Sequence, residues 1–315
     1  MKVKFNMRKK VLRVTVLIIL VIIFWLAFYQ YKEKNKMSNT SIESVTLHFG
    51  QQGVKDFYNY IKGNNDNYPN IMSFSEINFQ PPNLGTVNIE HAGKTLKLQH
   101  IFYIMGTKLG DRTDGIGALD INGGLNKAEF VTSEQAYQGY VSLMQELNSK
   151  GWQRYYNPWD ARYLKEDNFK ILSWDNSKSP VSLLAHGIMS DTTQILTFKE
   201  WQALFANQKS IAANLYLRDL ILYFEINQTP DSKPNHEQYT IRYQIDSAKY
   251  KFYTGLNAEQ RKMNEQGLRK IYDEDAQSSL GSRLIEEKEI KQAGFHIDEN
   301  YKDPDMWQYI VEPAY

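Results

Sequence analysis

Few residues in this chain form the sequence motifs that are typical of catalytic or metal-binding sites. The sequence has no cysteine, no Gly-x-Ser-x-Gly nucleophile elbow, no phosphate-binding glycine loop and no His-Glu-x-x-His pair, so the common hydrolase, nucleotide and zinc signals are missing. None of the histidines has another histidine two to four residues away; they are His48, His91, His100, His186, His236 and His296. The sequence therefore assigns no catalytic residue, no metal ligand and no cofactor.

Isolated polar residues receive structural interpretations. His186 lies beside a glycine with no paired carboxylate nearby, which is typical of a structural histidine. We interpret Glu286, Glu287 and Glu289 as the solvated face of a helix, because charged residues at this spacing usually face water.

The stretch Asp111–Glu129 is rich in Asp, Asn and Gly and superficially resembles a calcium-binding loop. Counted from Asp120, its twelfth position is Val131, where an EF-hand requires glutamate. We therefore expect two turns that bracket strands, with a hairpin at Asn122-Gly123.

An aromatic cluster between residues 152 and 174 is the most unusual feature of the composition. Aromatic rings interleaved with arginine are favoured at protein interfaces and can stack on sugars. The candidate binding residues are Trp152, Tyr155, Tyr156, Trp159, Arg162, Tyr163 and Trp174. The alternative is that these rings pack the sheet, with their polar atoms reaching water.

A long apolar segment near the start predicts a membrane anchor. Residues 14–31 begin with an uncharged apolar run that is long enough to cross the hydrocarbon layer. Six basic residues precede the run and three follow it, so the positive-inside rule places the N-terminus in the cytoplasm. The bulky residues Trp25 to Tyr29 do not suit signal peptidase, so we expect an uncleaved anchor in a bacterial inner membrane.

The charge balance changes once this anchor is set aside. Residues 1–36 hold nine basic and one acidic residue, which leaves 28 basic and 35 acidic residues of the chain's 37 and 36. The exported part is therefore acidic, although the whole chain has a formal net charge of +1. An acidic domain is a poor ligand for nucleic acid and is better suited to a basic protein partner.

Capping and turn signals predict an α+β fold for the exported part. Thr132 and Thr197 each begin a capping box, and the tail from Asn257 to Gln292 has helical character. A weak stretch at 273–281 predicts two helices there, or one kinked helix. Met306–Val311 reads as a last strand. We predict antiparallel sheets with helices packed on one face, preceded by a single transmembrane helix.

The predicted organisation follows from these boundaries. A basic cytoplasmic tail covers residues 1–13, the transmembrane helix covers 14–31, a linker covers 32–44 and the periplasmic or extracellular α+β region covers 45–315. The shared order of a Thr-capped helix followed by strands suggests a division into two halves near residues 176–196.

Three functions are compatible with these features. The first is a non-catalytic binding or inhibitory module, because motifs are absent and the exported part is acidic. Its anchor, orientation and acidic α+β domain make it similar to membrane-anchored immunity proteins, which neutralise toxic effectors delivered into the periplasm. The alternatives are an envelope enzyme that acts on glycan or peptide through carboxylates, and a scaffold subunit of an inner-membrane complex.

Overall fold

The computed structural model describes residues 43–61, 66–67, 72–174, 188–189, 191–229, 233 and 236–311. The predicted tail, transmembrane helix and most of the linker lie outside these residues, as does His186. The chain divides after residue 42, and the described strands and helices belong to the unit that follows, residues 43–315. Within the described residues, none of the helices combines the length and the apolar character needed to cross a bilayer.

A large sheet and surrounding helices form an α+β structure. Among the described residues the sheet has ten strands: β1 (Ser44–Leu47), β2 (Asp66–Asn67), β3 (Met72–Asn78), β4 (Gly85–His91), β5 (Lys94–Leu109), β6 (Ala118–Gly124), β7 (Gln153–Arg154), β8 (Ile211–Leu217), β9 (Leu220–Thr229) and β10 (Gln238–Ser247). Their order is β1-β4-β5-β6-β10-β9-β8-β7, with β3 on the second half of β5 and β2 beside β3. The pairings are antiparallel except between β1 and β4, which run parallel.

The helices within the described residues are α1 (Gly50–Ile61), α2 (Ser133–Ser149), α3 (Asn168–Leu172), α4 (Phe198–Ala206), α5 (Ala248–Thr254), α6 (Glu265–Gln292) and α7 (Trp307–Val311). Of these, α2, α4, α5 and α6 begin after a residue whose side chain accepts a backbone amide of the first turn. Both predicted capping boxes are present, because the Thr132 and Thr197 hydroxyls accept the N3 amides while the N3 side chains accept the cap amides.

Two local predictions were wrong. Asn122-Gly123 does not form a hairpin, because both residues lie inside β6 between β5 and β10. A Cβ atom at position 123 would lie 2.9 Å from the His100 carbonyl oxygen, so this glycine serves a close strand approach. Residues 307–311 form a helix rather than a strand, since the Asp305 carboxylate accepts the Trp307 amide and begins a turn.

The sheet joins the two parts of the chain that flank residues 176–196. Strand β6 pairs with β10 from Gly124 opposite Thr240 to Ala118 opposite Asp246. The segments before and after the predicted division therefore share one hydrogen-bonded sheet. The division into two halves stays a prediction.

Aromatic packing attaches the capped helices to this sheet. Trp201 of α4 is fully buried, and its ring centroid lies 5.3 Å from Tyr140 of α2 and 5.5 Å from Tyr239 of β10. The Tyr140 hydroxyl accepts the Leu196 amide, just before the second capping box. Contacts of this kind bury large apolar areas and fix the helices against the sheet.

Candidate functional site

The structure places most of the predicted binding residues in the interior. Trp152, Tyr155, Tyr156 and Tyr163 are buried, and Trp174 is partly buried against the same apolar cluster as Tyr156 and Tyr163. These rings therefore pack in the interior, as the structural alternative expected. The Nε1 atoms of Trp152 and Trp174 are buried as well, so they do not reach water as that alternative predicted.

Two members of the predicted set lie closer to solvent. Trp159 is 47% exposed. Arg162 makes a bidentate ion pair with Glu287 of α6, with Nε donating to Oε1 over 2.6 Å and Nη2 to Oε2 over 3.0 Å. The structure thus separates the cluster into buried rings and a loop, residues 157–162, that lies against α6.

Helix α6 runs unbroken for 28 residues, or about 42 Å. Its first turn is capped by the Asn264 side chain, which accepts the Gly267 amide. The predicted weak stretch does not break it. Only Leu268, Ser279, Arg283, Glu287 and Ile290 of this helix are buried, and the last four recur at helical spacing, so they define the face that contacts the rest of the protein.

Arg283 fixes α6 to the 157–162 loop. Its side chain is 2% exposed. The guanidinium donates from Nε to the Asp160 carbonyl oxygen and from Nη2 to the Asn157 carbonyl oxygen, both over 2.9 Å. It also forms a two-pronged ion pair with the Asp303 carboxylate, at 2.5 and 2.9 Å. A planar guanidinium suits this task because its five N–H groups point in fixed directions.

Two neighbouring glutamates complete the attachment. Glu286 accepts the Ala161 amide over 2.9 Å, and Glu287 accepts the Arg162 amide over 3.3 Å. Burial, together with the nearby Asp160 carboxylate, raises the pKa of Glu286 to about 7. Burial alone would also raise the pKa of Glu287, but its hydrogen bonds with Arg162 lower it.

These contacts correct the sequence interpretation of the glutamates. Glu287 is 6% exposed rather than solvated, and Glu286 is half-buried. The signal that could have identified them is spacing: Ser279, Arg283 and Glu287 occupy the positions of an apolar stripe that ends at Ile290. Polar residues at stripe positions indicate a buried, partnered network.

Beside this attachment, α6 exposes large apolar side chains. Leu280, Leu284 and Ile285 are 49%, 56% and 61% exposed. Trp159 directly precedes Asp160, whose carbonyl oxygen accepts from Arg283, and Leu284 directly follows Arg283. We call these four residues, Trp159, Leu280, Leu284 and Ile285, the α6 apolar face.

An acidic run, Asp273 to Asp275, lies exposed on the preceding turns.

The arrangement combines exposed apolar side chains with carboxylates that hold the adjoining loop. Within the described ranges, no group of three His, Asp or Glu side chains could hold a metal ion. Asp160 accepts the Asn157 amide and Glu286 accepts the Ala161 amide. What the site offers a partner is apolar surface on a firmly held helix.

No family model, no curated protein and no solved structure matches the chain. The interpretation of this site therefore rests on its geometry.

We predict that Arg283→Met destabilises the protein by about 3 kcal/mol, because two buried carbonyl oxygens lose their donors and Asp303 loses its partner. Urea unfolding measures the loss, and amide hydrogen exchange at residues 157–162 should accelerate. The matched change Arg269→Met, at an exposed arginine of the same helix that pairs with Asp273, should leave the unfolding midpoint unchanged. Equal losses in the two variants would contradict an anchoring role.

A second prediction concerns pH. Because the pKa of Glu286 rises from an ordinary 4.5 to about 7 on folding, the folded state holds this proton more tightly than the unfolded chain. The stabilisation is therefore complete below about pH 4.5 and is lost as the pH rises through about 7. Glu286→Gln removes this loss, so between pH 5 and 8 the variant should gain about 1–2 kcal/mol relative to the native protein, allowing for solvent screening.

Urea titrations at several pH values measure that difference. Glu274→Gln, at an exposed position earlier on α6, is the matched control and should retain the native pH profile. Parallel stability curves for the native protein and Glu286→Gln would contradict the prediction.

Proposed function

We propose that this chain is a single-pass, membrane-anchored binding module without catalytic activity, and that its exported head recognises a protein through the α6 apolar face. Residues 14–31 anchor it in a bacterial inner membrane, with the N-terminus in the cytoplasm and the head in the periplasm or outside the cell. In the head, helices cover one face of the sheet. The function that suits this arrangement is inhibitory, of the kind performed by immunity proteins that neutralise a secreted effector.

The observation that carries the proposal is the exposure of Trp159, Leu280, Leu284 and Ile285 on a rigidly attached helix and its adjoining loop. Large apolar groups clustered beside charged residues are typical of binding surfaces, and tryptophan is enriched among residues that dominate binding energy. Because Arg283 and the two glutamates already hold this surface in place, little side-chain and backbone order would have to be gained on binding.

Charge supports a basic partner. The 28 basic and 35 acidic residues that follow residue 36 all lie from Glu43 onward. The head therefore carries a net charge of about −7 at neutral pH. The exposed acids Asp273, Glu274 and Asp275 lie on α6 itself, before the apolar residues. Such a surface steers a positively charged protein towards the apolar face and speeds association.

The anchor is tested by topology. Alkaline phosphatase fused to the C-terminus should be active, since that enzyme matures only after export, and the mature protein should retain its first thirty residues. An inactive fusion or a shortened product would contradict the anchored, exported arrangement. Replacing residues 14–31 with an unrelated transmembrane helix should preserve function in a simple tether, whereas a scaffold subunit that uses its own helix would lose it.

The recognition surface is tested by the double variant Leu280→Asp and Leu284→Asp in the full chain. Co-expression with a toxic effector encoded beside the gene should protect cells when the native chain is present. The double variant should bind that effector about 30-fold or more weakly and lose protection, because two desolvated contacts become charged.

Tyr58→Asp is the matched control, because Tyr58 is 64% exposed on α1 and the change adds the same kind of charge elsewhere. Thermal unfolding of all variants checks that the fold is retained. Full protection by the double variant, or none by the native chain, would contradict the proposed function.

An envelope enzyme is a second candidate, favoured by one observation. Asp160 and Glu286 are neighbouring carboxylates, and burial raises the pKa of each, which is the pattern of acid–base pairs. Both carboxylates nevertheless hold backbone amides of the 157–162 loop. Hydrolysis of glycan or peptide that disappears in Glu286→Gln would favour this candidate over binding alone.

A further inference from the structure

A second feature lies away from the α6 apolar face. A cavity of about 50 Å³ opens between the start of α1, the loop after β5, the turn between β8 and β9, and the start of α5. Aromatic rings form much of its wall, from Phe49, Tyr250, Tyr253 and Tyr309. Since one water-sized site needs about 10–15 Å³ of such volume, the cavity accommodates a molecule of about four or five non-hydrogen atoms.

Asp219 supplies a negative charge to the cavity. This residue lies in the turn between β8 and β9 and is 5% exposed. One carboxylate oxygen lies 2.7 Å from Nε2 of His91 at the end of β4. A carboxylate offers about four acceptor positions, so this bond leaves capacity for the N–H groups of a ligand.

A second charged group in the cavity has a net positive charge. It consists of Arg112, Asp114 and Lys249. The Asp114 carboxylate bridges Nε of Arg112 and Nζ of Lys249. Burial disfavours its ionised form, but these two cations lower the pKa of Asp114, so it is charged at neutral pH. The Arg112 guanidinium also stacks 3.6 Å from the centroid of the Tyr253 ring, which fixes its plane.

Glycines hold the wall of the cavity in a fixed shape. Gly115 has a φ of +87°, and a Cβ atom there would lie 2.2 Å from the Gly50 backbone. A Cβ atom on Gly117 would lie 2.5 Å from the Tyr250 ring. Gly115, Ile116 and Gly117 are buried. The loop is part of the wall because backbone approaches backbone directly.

We propose that this cavity binds a small zwitterion of the free amino acid class, with its ammonium group at Asp219 and its carboxylate at Arg112. The two acidic and two basic side chains that line the cavity give it no net charge, yet the positive and negative groups come from different segments. A ligand with both charges can contact both groups, whereas a simple cation or anion can contact only one of them.

Isothermal titration calorimetry on the full chain in detergent tests this proposal, with glycine as the probe. A five-atom ligand is limited to about micromolar affinity at best, and titration to about 100 mM covers the weaker range. Glycine should bind saturably, and methylammonium and acetate should each bind at least about tenfold more weakly. L-Phenylalanine should also bind more weakly, because its side chain exceeds the cavity volume.

Two variants assign the binding to this cavity. Asp219→Asn keeps the shape of the side chain and removes its charge, and Arg112→Lys keeps the charge and removes the planar fork; each should weaken glycine binding at least about tenfold. Asp56→Asn is the matched control, because Asp56 is also a buried aspartate paired with a histidine, His48, at 2.8 Å. It should bind glycine as the native chain does.

Thermal unfolding confirms that each variant is folded, and stabilisation of the native chain by glycine gives a second readout. Absence of saturable glycine binding would overturn the proposal. So would undiminished binding in folded Asp219→Asn and Arg112→Lys, or binding of methylammonium and acetate as tight as that of glycine.

Discussion

The hydrogen bonds and ion pair of Arg283 are the interaction on which the exposed surface of this protein depends. One buried guanidinium contacts the carbonyl oxygens of Asn157 and Asp160 and the carboxylate of Asp303. It therefore joins α6, the 157–162 loop and the segment before α7 at one point. A buried cation is costly to desolvate, and its cost is offset here because every nitrogen has an acceptor.

Apolar packing holds the other end of the same helix. Leu268 is buried with Tyr253 and Trp307, and Ile271 and Tyr272 pack against the same cluster. Between this cluster and Ser279 the helix contributes no buried residue, although its hydrogen-bonded backbone continues. The helix is thus supported near both ends and exposed between them. An exposed apolar surface on such an element keeps its shape without a bound partner, which is the physical basis of preorganised recognition.

The features that sequence reasoning predicted correctly are local ones. The capping boxes at Thr132 and Thr197 depend on four consecutive residues each, so a short stretch of sequence is sufficient to predict their geometry. The hairpin predicted at Asn122-Gly123 is absent because Gly123 allows the close approach of His100 and Ile101 on β5, which are distant in the sequence. The weak stretch of α6 remains helical for a related reason. Gly281 destabilises a helix by about 1 kcal/mol, and packing at both ends outweighs that free energy.

The candidate site was predictable only in part. The sequence drew attention to the aromatic segment, but it could not separate Trp159, which is exposed, from Tyr156 and Tyr163, which pack in the interior. That distinction depends on the contact with α6, more than a hundred residues away along the chain. Arg283 itself looked like any surface arginine, because two of the acceptors that surround it are backbone oxygens and carry no residue-type signal.

The ends of the sheet have a consequence for how copies of this protein behave beside one another. In the described part of the chain, the strand order finishes in β1 with four residues, in β7 with two, and in β2 with two on its branch. Unpaired strand edges are templates on which neighbouring chains can add their own strands, and short edges offer few backbone groups for that purpose. The terminal strands themselves therefore offer few backbone groups for edge-to-edge pairing between copies of this protein.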